Sequence, residues 1–81
     1  MGLPELIRIQ LKLDKAMKDR GITQLKLARL SGIRQATISD MVQNKRGTIN
    51  LRNLERIIQI LNIRDMSEII ELVDDVTSPK D

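Results

Sequence analysis

Apolar residues recur along the chain at steps of three and four, and the pattern breaks at Gly21, Gly32, Gly47 and Asn62. The breaks leave segments of about 8 to 12 residues, each two or three helical turns long. Leu13 to Arg20 is predicted as a first helix that stops at Gly21. Ahead of it the pattern fits two structures. Ile7, Ile9, Leu11 and Leu13 alternate with Arg8, Gln10 and Lys12, the period of a strand. Leu6, Ile9, Leu13, Ala16 and Met17 fall equally well on one helical face, which Pro4 would open. Both stay open, with an extended arm over 6–11 preferred.

Thr23 is placed to cap a second helix, its hydroxyl facing the first-turn amides. Leu25, Leu27 and Ala28 are expected inside it, and Gly32 follows its end at Ser31 as a positive-φ turn residue. A third helix spans about Gln35 to Gln43, with Ile38, Met41 and Val42 as its apolar face. After a loop over 44–49, Asn50 caps a fourth helix expected to bury Leu51, Leu54, Ile57, Ile58 and Leu61. Asp65 with Glu68 reads as a capping box for a fifth helix over 66–73, carrying Met66, Ile69, Ile70 and Val73. The expected fold is all-α: a compact five-helix domain over 12–73, a short N-terminal arm over 1–11, extended in the preferred reading, and a flexible acidic tail over 74–81.

Composition narrows the chemistry. Among the 81 residues, 41% are hydrophobic and none is aromatic. Without Phe, Tyr or Trp there is no platform on which unpaired bases stack, which disfavours single-stranded nucleic acid. The absence of Cys and His removes disulfides, thiolates, the usual zinc ligands and the commonest general base. No metal and no cofactor are expected. Asp14 with Asp19, and Glu68 with Glu71, are paired acids without a base or nucleophile beside them. Five short helices also leave no room for a cleft of enzyme size, so an enzyme is disfavoured. No apolar run reaches the roughly 20 residues that span a bilayer, and the charged N-terminus is no secretory signal. A cytoplasmic protein is expected.

Charge adds a direction. Residues 1–64 carry 13 basic and 5 acidic side chains, and residues 65–81 one Lys and 6 acids, for a net +3 overall. The basic block is densest from Arg20 to Arg46. A basic body with an acidic end points to a polyanion-binding face, although a solvated surface of mixed charge explains the same balance.

The stretch QLKLARLSGIRQATISDMVQ, residues 24–43, has the layout of two helices crossing steeply through a short turn. Ala28 is small enough for close approach, Gly32 takes the turn, and Ile38 plugs the space between the helices with Leu27, Ile33 and Met41. These residues, with Gln24, the preceding Gly21-Ile22-Thr23 and the following Asn44-Lys45-Arg46, resemble the helix-turn-helix regulators of the Cro and phage-repressor type (XRE-type). The Leu51, Leu54, Ile57, Ile60, Leu61 spacing belongs to the same resemblance, which covers about residues 12–73.

The resemblance implies a lambda-repressor-like domain whose third helix lies in the major groove of double-stranded DNA. It implies that Gln24, at the start of the second helix, touches a backbone phosphate. Arg34, Gln35 and Ala36 fall where base edges are reached, with Ser39 and Asp40 one turn further on. Gln43, Asn44, Lys45 and Arg46 fall where the chain closes back on the phosphates. Side-chain chemistry agrees: Gln pairs with adenine, Arg with guanine, and an Ala methyl with the thymine methyl. Thr37 is open between a phosphate contact and a bond within its helix. Asp40 departs from the pattern. It either accepts from cytosine or pairs with Arg34 or another basic residue, and the second is preferred.

Such regulators usually bind as dimers on two half-sites. A homodimer through the N-terminal arm and the C-terminal helix is possible, the two regions meeting either within a chain or across a two-fold axis, with Arg8 and Lys12 facing Glu71 and Asp74. A monomer is the alternative. The leading function is a sequence-specific DNA-binding transcriptional regulator, acting as a repressor. The competing one is a protein-interaction module that holds a partner through 65–81, as an antitoxin holds a toxin, with DNA binding secondary.

Overall fold

The computed structural model describes residues 7–74. They run through strand β1 (Ile7–Leu11), helices α1 (Leu13–Asp19), α2 (Gln24–Ser31), α3 (Gln35–Gln43) and α4 (Leu51–Leu61), a 3-10 turn (Met66–Glu68) and strand β2 (Ile70–Asp74). Among the described residues there are four α-helices and one two-stranded sheet, so the domain is neither five-helical nor strictly all-α.

The helix ends follow from local chemistry. Thr23 Oγ1 accepts from the Lys26 amide at 3.1 Å, opening α2. Asn50 Oδ1 accepts from the amides of Arg52 and Asn53 at 2.9 and 3.1 Å, opening α4. Gly32, Asn44 and Asn62 close α2, α3 and α4 in the left-handed region, with φ of 76°, 54° and 57°. Glycine takes that conformation without steric cost, and Asn tolerates it better than other side chains.

The largest fully buried side chains are Leu13, Leu27, Ile38, Ile57 and Ile69. Each of the four helices supplies one, and the fifth comes from the residue before β2. Every helix therefore loses core contacts if its neighbour is displaced, which makes a small aliphatic core cooperative. Arg20 adds a polar tie at the C-terminal end. Its Nε donates to the Leu61 carbonyl, Nη1 to the Ala16 carbonyl at 3.2 Å, and Nη2 to Glu68 Oε1 at 2.8 Å.

The fifth helix is where expectation and structure part. Asp65 does cap, but its Oδ1 accepts from Ser67, from the amide at 3.0 Å and the hydroxyl at 2.9 Å. Glu68 reaches Arg20 instead of returning to the cap. Only one 3-10 turn forms, and the chain then extends as β2 antiparallel to β1, with Ile9 opposite Leu72 and Leu11 opposite Ile70. Ile69, Ile70 and Val73 are β-branched and suit a strand. The extended Ile7–Leu11 supplies the backbone partners that decide between the two forms. The Lys12 amide continues the ladder to the Ile69 carbonyl at 2.7 Å.

The arm and the C-terminal segment thus meet within one chain. Arg8 faces Val73 and Glu71 faces Gln10, an offset from the expected Arg8 and Lys12 pairing with Glu71 and Asp74. The helical alternative over Leu6–Leu13 does not form across Ile7–Leu11. Pro4, Leu6 and the acidic tail beyond Asp74 lie outside the described residues. Two expected core positions are also corrected: Leu25 and Leu51 are 52% and 63% exposed. Both share helical spacing with true core residues, but no element among the described residues lies over them.

Candidate nucleic-acid interface

The geometry of α3 is set by the turn that precedes it. Ser31 is buried and its hydroxyl oxygen accepts from the Ile33 amide at 3.1 Å. Gly32 swings into positive φ while its amide still donates to the Ala28 carbonyl at 2.9 Å. Ile33 is buried, and Arg34 stands extended as the first residue before α3. The half-buried Ala28 lets α3 approach α2 closely, and Ile38 fills the seam with no exposed surface. A continuous helix through Gly32 is absent, and the N-terminal turn of α3 is driven outward. No side chain caps that turn.

The surface of α3 divides into three. Ile38 and Met41 pack into or against the core, with Val42 beside them. Gln35, Ser39 and Gln43 recur every four residues and form one outward stripe. Gln35 and Gln43 are exposed, Ser39 is half-buried, and Gln43 Nε2 donates to Ser39 Oγ at 3.1 Å. Ala36 is exposed beside this stripe. Thr37, Asp40 and Asn44 lie on a third side, lining a groove of about 650 Å³ between α3, the loop after it, the start of α4 and the sheet.

The structure therefore separates residues that the sequence groups together. Arg34, Gln35, Ala36 and Ser39 stand together at the exposed, N-terminal part of α3. Gln43 joins their stripe rather than the loop. Asp40 turns away from it and pairs with Arg46, Oδ2 to Nε at 3.1 Å. Arg34 is not its partner. Asn44 spends its carboxamide on the backbone of Leu11, at 2.8 and 3.0 Å. Gln24 is half-buried at the first turn of α2, Thr37 is half-buried, and Lys45 is exposed in the loop.

Electrostatics favours the same end of the molecule. Lys15 and Lys18 on α1 are paired with Asp19 and Asp14. Lys26, Arg29, Arg34 and Lys45 are exposed and have no ion-pair partner among the described residues. Lys26 and Arg29, on α2, were not singled out from the sequence, although they lie in its basic block. The acids Asp19 and Asp65 have a lowered pKa and lie away from this surface: Asp19 accepts from Lys15, and Asp65 accepts from Ser67.

The groove itself was not foreseen. Ile9, Leu11, Met41, Ile49, Leu51 and Ile70 give it an apolar lining. Leu51 has the spacing of a core residue, with Leu54 three residues later, and that spacing alone holds no signal of its 63% exposure. Among the described residues no group of three or more Asp or Glu is placed to hold a metal ion, and no helix is long and apolar enough to cross a membrane.

The model of the Cro/C1-type HTH DNA-binding domain matches residues 12–75 of this chain. In three dimensions the chain is similar to the crystal structure of the transcriptional regulator VanUg. The TM-score is 0.66 and the sequences are 26% identical, over 91% of this chain and 97% of that one. No curated protein sequence gives a significant match.

Proposed function

Because the chain belongs to the family of Cro/C1-type HTH DNA-binding domains, we propose that it is a sequence-specific transcriptional regulator that reads the major groove of double-stranded DNA with α3. One observation carries the choice of α3. The helix that follows the Gly32 turn exposes a stripe of hydrogen-bonding side chains, and no other element among the described residues lies over it. Arg34 and Gln35 reach base edges, Arg suited to guanine and Gln to adenine. Ala36 offers its methyl to thymine, and Ser39 with Gln43 extends the contact along the groove.

Gln24, Lys45 and Arg46 hold the phosphates, with Lys26 and Arg29 adding to the field that draws the duplex in. Thr37 lies at the edge of this surface, within reach of a phosphate. Asn44 holds the loop in place from behind. Asp40 neutralises Arg46 in part and fixes its direction, so it shapes a contact without making one. The transcriptional regulator VanUg, similar over most of its length, supports the regulatory role. Occupation of an operator, with polymerase excluded, is the simplest mode of action. Two copies on two half-sites would supply the reach that one domain lacks. The described part of the segment offered to a partner protein in the competing scheme, 65–74, is engaged internally: Glu68 with Arg20, and Ile70–Asp74 with β1.

Selection of bound sites from random duplex DNA tests this function. A recurring site, with base preferences that change when Gln35 is replaced, is the expected result. Recovery of random sequences at moderate salt would overturn it.

A further inference from the structure

Away from the β1–β2 ribbon and the groove beside α3, the most exposed of the large apolar side chains are Leu25 at 52% and Leu30 at 54%, both on α2. Lys26 and Arg29, on the same helix, are exposed and have no ion-pair partner among the described residues. At about 3.6 residues per turn, the four side chains fall within a sector of about 140°. Leu25 and Arg29 form one row of helical neighbours, and Lys26 and Leu30 form the next. The leucines thus occupy one diagonal of the face and the cations the other. Leu27 and Ser31 are buried on the opposite side of the helix. No acid in this part of the chain offsets the face, because there is none from Arg20 to Ser39. Arg56, exposed on α4, reaches the end of α2 and donates to the Ser31 carbonyl at 3.4 Å, so positive charge continues past the last turn.

We infer that this face of α2 is a docking surface for another protein, and that its occupant is an acidic amphipathic helix with apolar side chains set between its carboxylates. The inference rests on the regulator reading in one respect: the face is used while α3 holds DNA. Charge and apolarity together select the occupant. A duplex backbone would satisfy Lys26 and Arg29 but offers no apolar surface to Leu25 and Leu30. Position agrees. Gln24, placed on a phosphate, stands nearly opposite the centre of this sector of α2. Lys26 and Arg29 therefore act on DNA through their long-range field and not by contact. A second copy does not fit either, since two faces of this sign repel each other.

An acidic helix meets both requirements. The rows formed by Leu25 with Arg29 and by Lys26 with Leu30 are ridges of the kind that seat in the grooves of a second helix. Carboxylates of that helix pair with the two cations, and its apolar side chains cover the two leucines. The charges steer the encounter and set which partners are accepted, and the leucines supply the area. Four side chains make a small contact, in the class of weak and transient ones. A partner held beside the regulator on the same DNA meets the face at high effective concentration, which compensates for that weakness.

The probe is a synthetic helical peptide with leucines and glutamates on one face, compared with its twin carrying lysine for each glutamate. Both are titrated into the whole chain at physiological salt and followed by amide NMR shifts. The acidic peptide should shift the amides of residues 24–31 and saturate them below about 1 mM, the range of weak contacts. Leu30→Ser and Arg29→Glu should each weaken it at least about tenfold, as loss of an anchor at the centre of a contact does. Both positions are exposed, so the circular dichroism spectrum should stay unchanged. Leu30→Ser should also leave DNA binding unaltered. Saturation with the selected duplex should change the peptide's affinity by no more than about threefold, because charges beyond about 8 Å are largely screened at this salt. Displacement of the peptide by the duplex would make the face part of the DNA surface and overturn the inference. Equal binding of the lysine twin, or shifts centred on another element, would overturn it too. A chain that selects a DNA site but shows no α2 shifts with the acidic peptide would defeat the docking face and leave the regulator function standing.

Discussion

The carboxamide of Asn44 holds the backbone of Leu11 by both of its groups. Oδ1 accepts from the Leu11 amide at 2.8 Å, and Nδ2 donates to the Leu11 carbonyl at 3.0 Å. Asn44 ends α3 and Leu11 ends β1, so one side chain does for the strand what a third strand would do. Asn suits the position twice, because it also tolerates the φ of 54° found there. Asn44→Ala leaves a part-buried amide and carbonyl unpaired and should cost roughly 1–3 kcal/mol of stability. Asn44→Asp should cost more, since an acceptor then faces the Leu11 carbonyl. Urea unfolding of the three proteins checks the order, and an aspartate variant as stable as the parent would refute the bidentate account.

Base readout by α3 predicts a selective loss. Gln35→Ala should weaken binding to the selected site by roughly 1–3 kcal/mol and relax the preference at one base pair. Binding to unrelated duplex should hardly change. Titrations on both DNAs at one salt concentration separate the outcomes, and equal losses on the two would count against Gln35 as a reader.

The loop cations predict a different signature. Lys45→Ala should weaken binding to every duplex and lower the salt slope by about one unit. Arg46→Ala should lose more, because it also frees the Asp40 carboxylate near the phosphates. Asp40→Asn combined with Arg46→Ala should recover that excess. If the double variant binds no better than Arg46→Ala alone, the pair has no bearing on DNA.

Much of this was legible in the residues. Thr23, Asn50 and Gly32 announce their roles because caps and left-handed turns depend on chemistry within a few residues. Ile38 and Leu27 announce theirs because small Ala28 and Gly32 leave room for a steep helix crossing. The ribbon was half legible: the alternation from Ile7 to Leu11 suggested a strand, but its partner did not declare itself. Ile69, Ile70 and Val73 satisfy a helical period as well as a strand, and only the long-range pairing with β1 chooses. The same holds at the site. Gln35 and Ser39 could be placed by helical spacing, whereas the engagement of Asp40 with Arg46 and of Asn44 with Leu11 depends on where a loop and a strand lie in space.

Exposure distinguishes residues that the pattern treats alike. Ile57 has no exposed surface and Leu51 is 63% exposed, though both fall on the apolar face of α4. Ile57→Ala should therefore cost about 2–5 kcal/mol by opening a cavity. Leu51→Ala should change the stability of the monomer by no more than about 0.5 kcal/mol. Thermal unfolding at low protein concentration checks the contrast, and similar losses at the two positions would mean that Leu51 is core after all.

Asp65 sets a limit in acid. Two hydrogen bonds from Ser67, first its amide and then its hydroxyl, favour the ionised carboxylate and hold its pKa below the ordinary 3.8. A carboxylate whose pKa is lower in the folded state contributes stability above the unfolded value, and that contribution disappears as pH falls through the lowered folded value. The turn at Met66–Glu68, which directs Ile69 into the core and the chain into β2, should thus loosen below about pH 4. Asp65→Asn keeps an acceptor for Ser67 but does not titrate. The protection of the Ser67 and Ile69 amides against exchange, taken relative to the unstructured rate at each pH, should fall between pH 4 and 2 in the parent, and the asparagine variant should show a smaller change over the same interval. An identical acid response in both proteins would place the titrating group elsewhere.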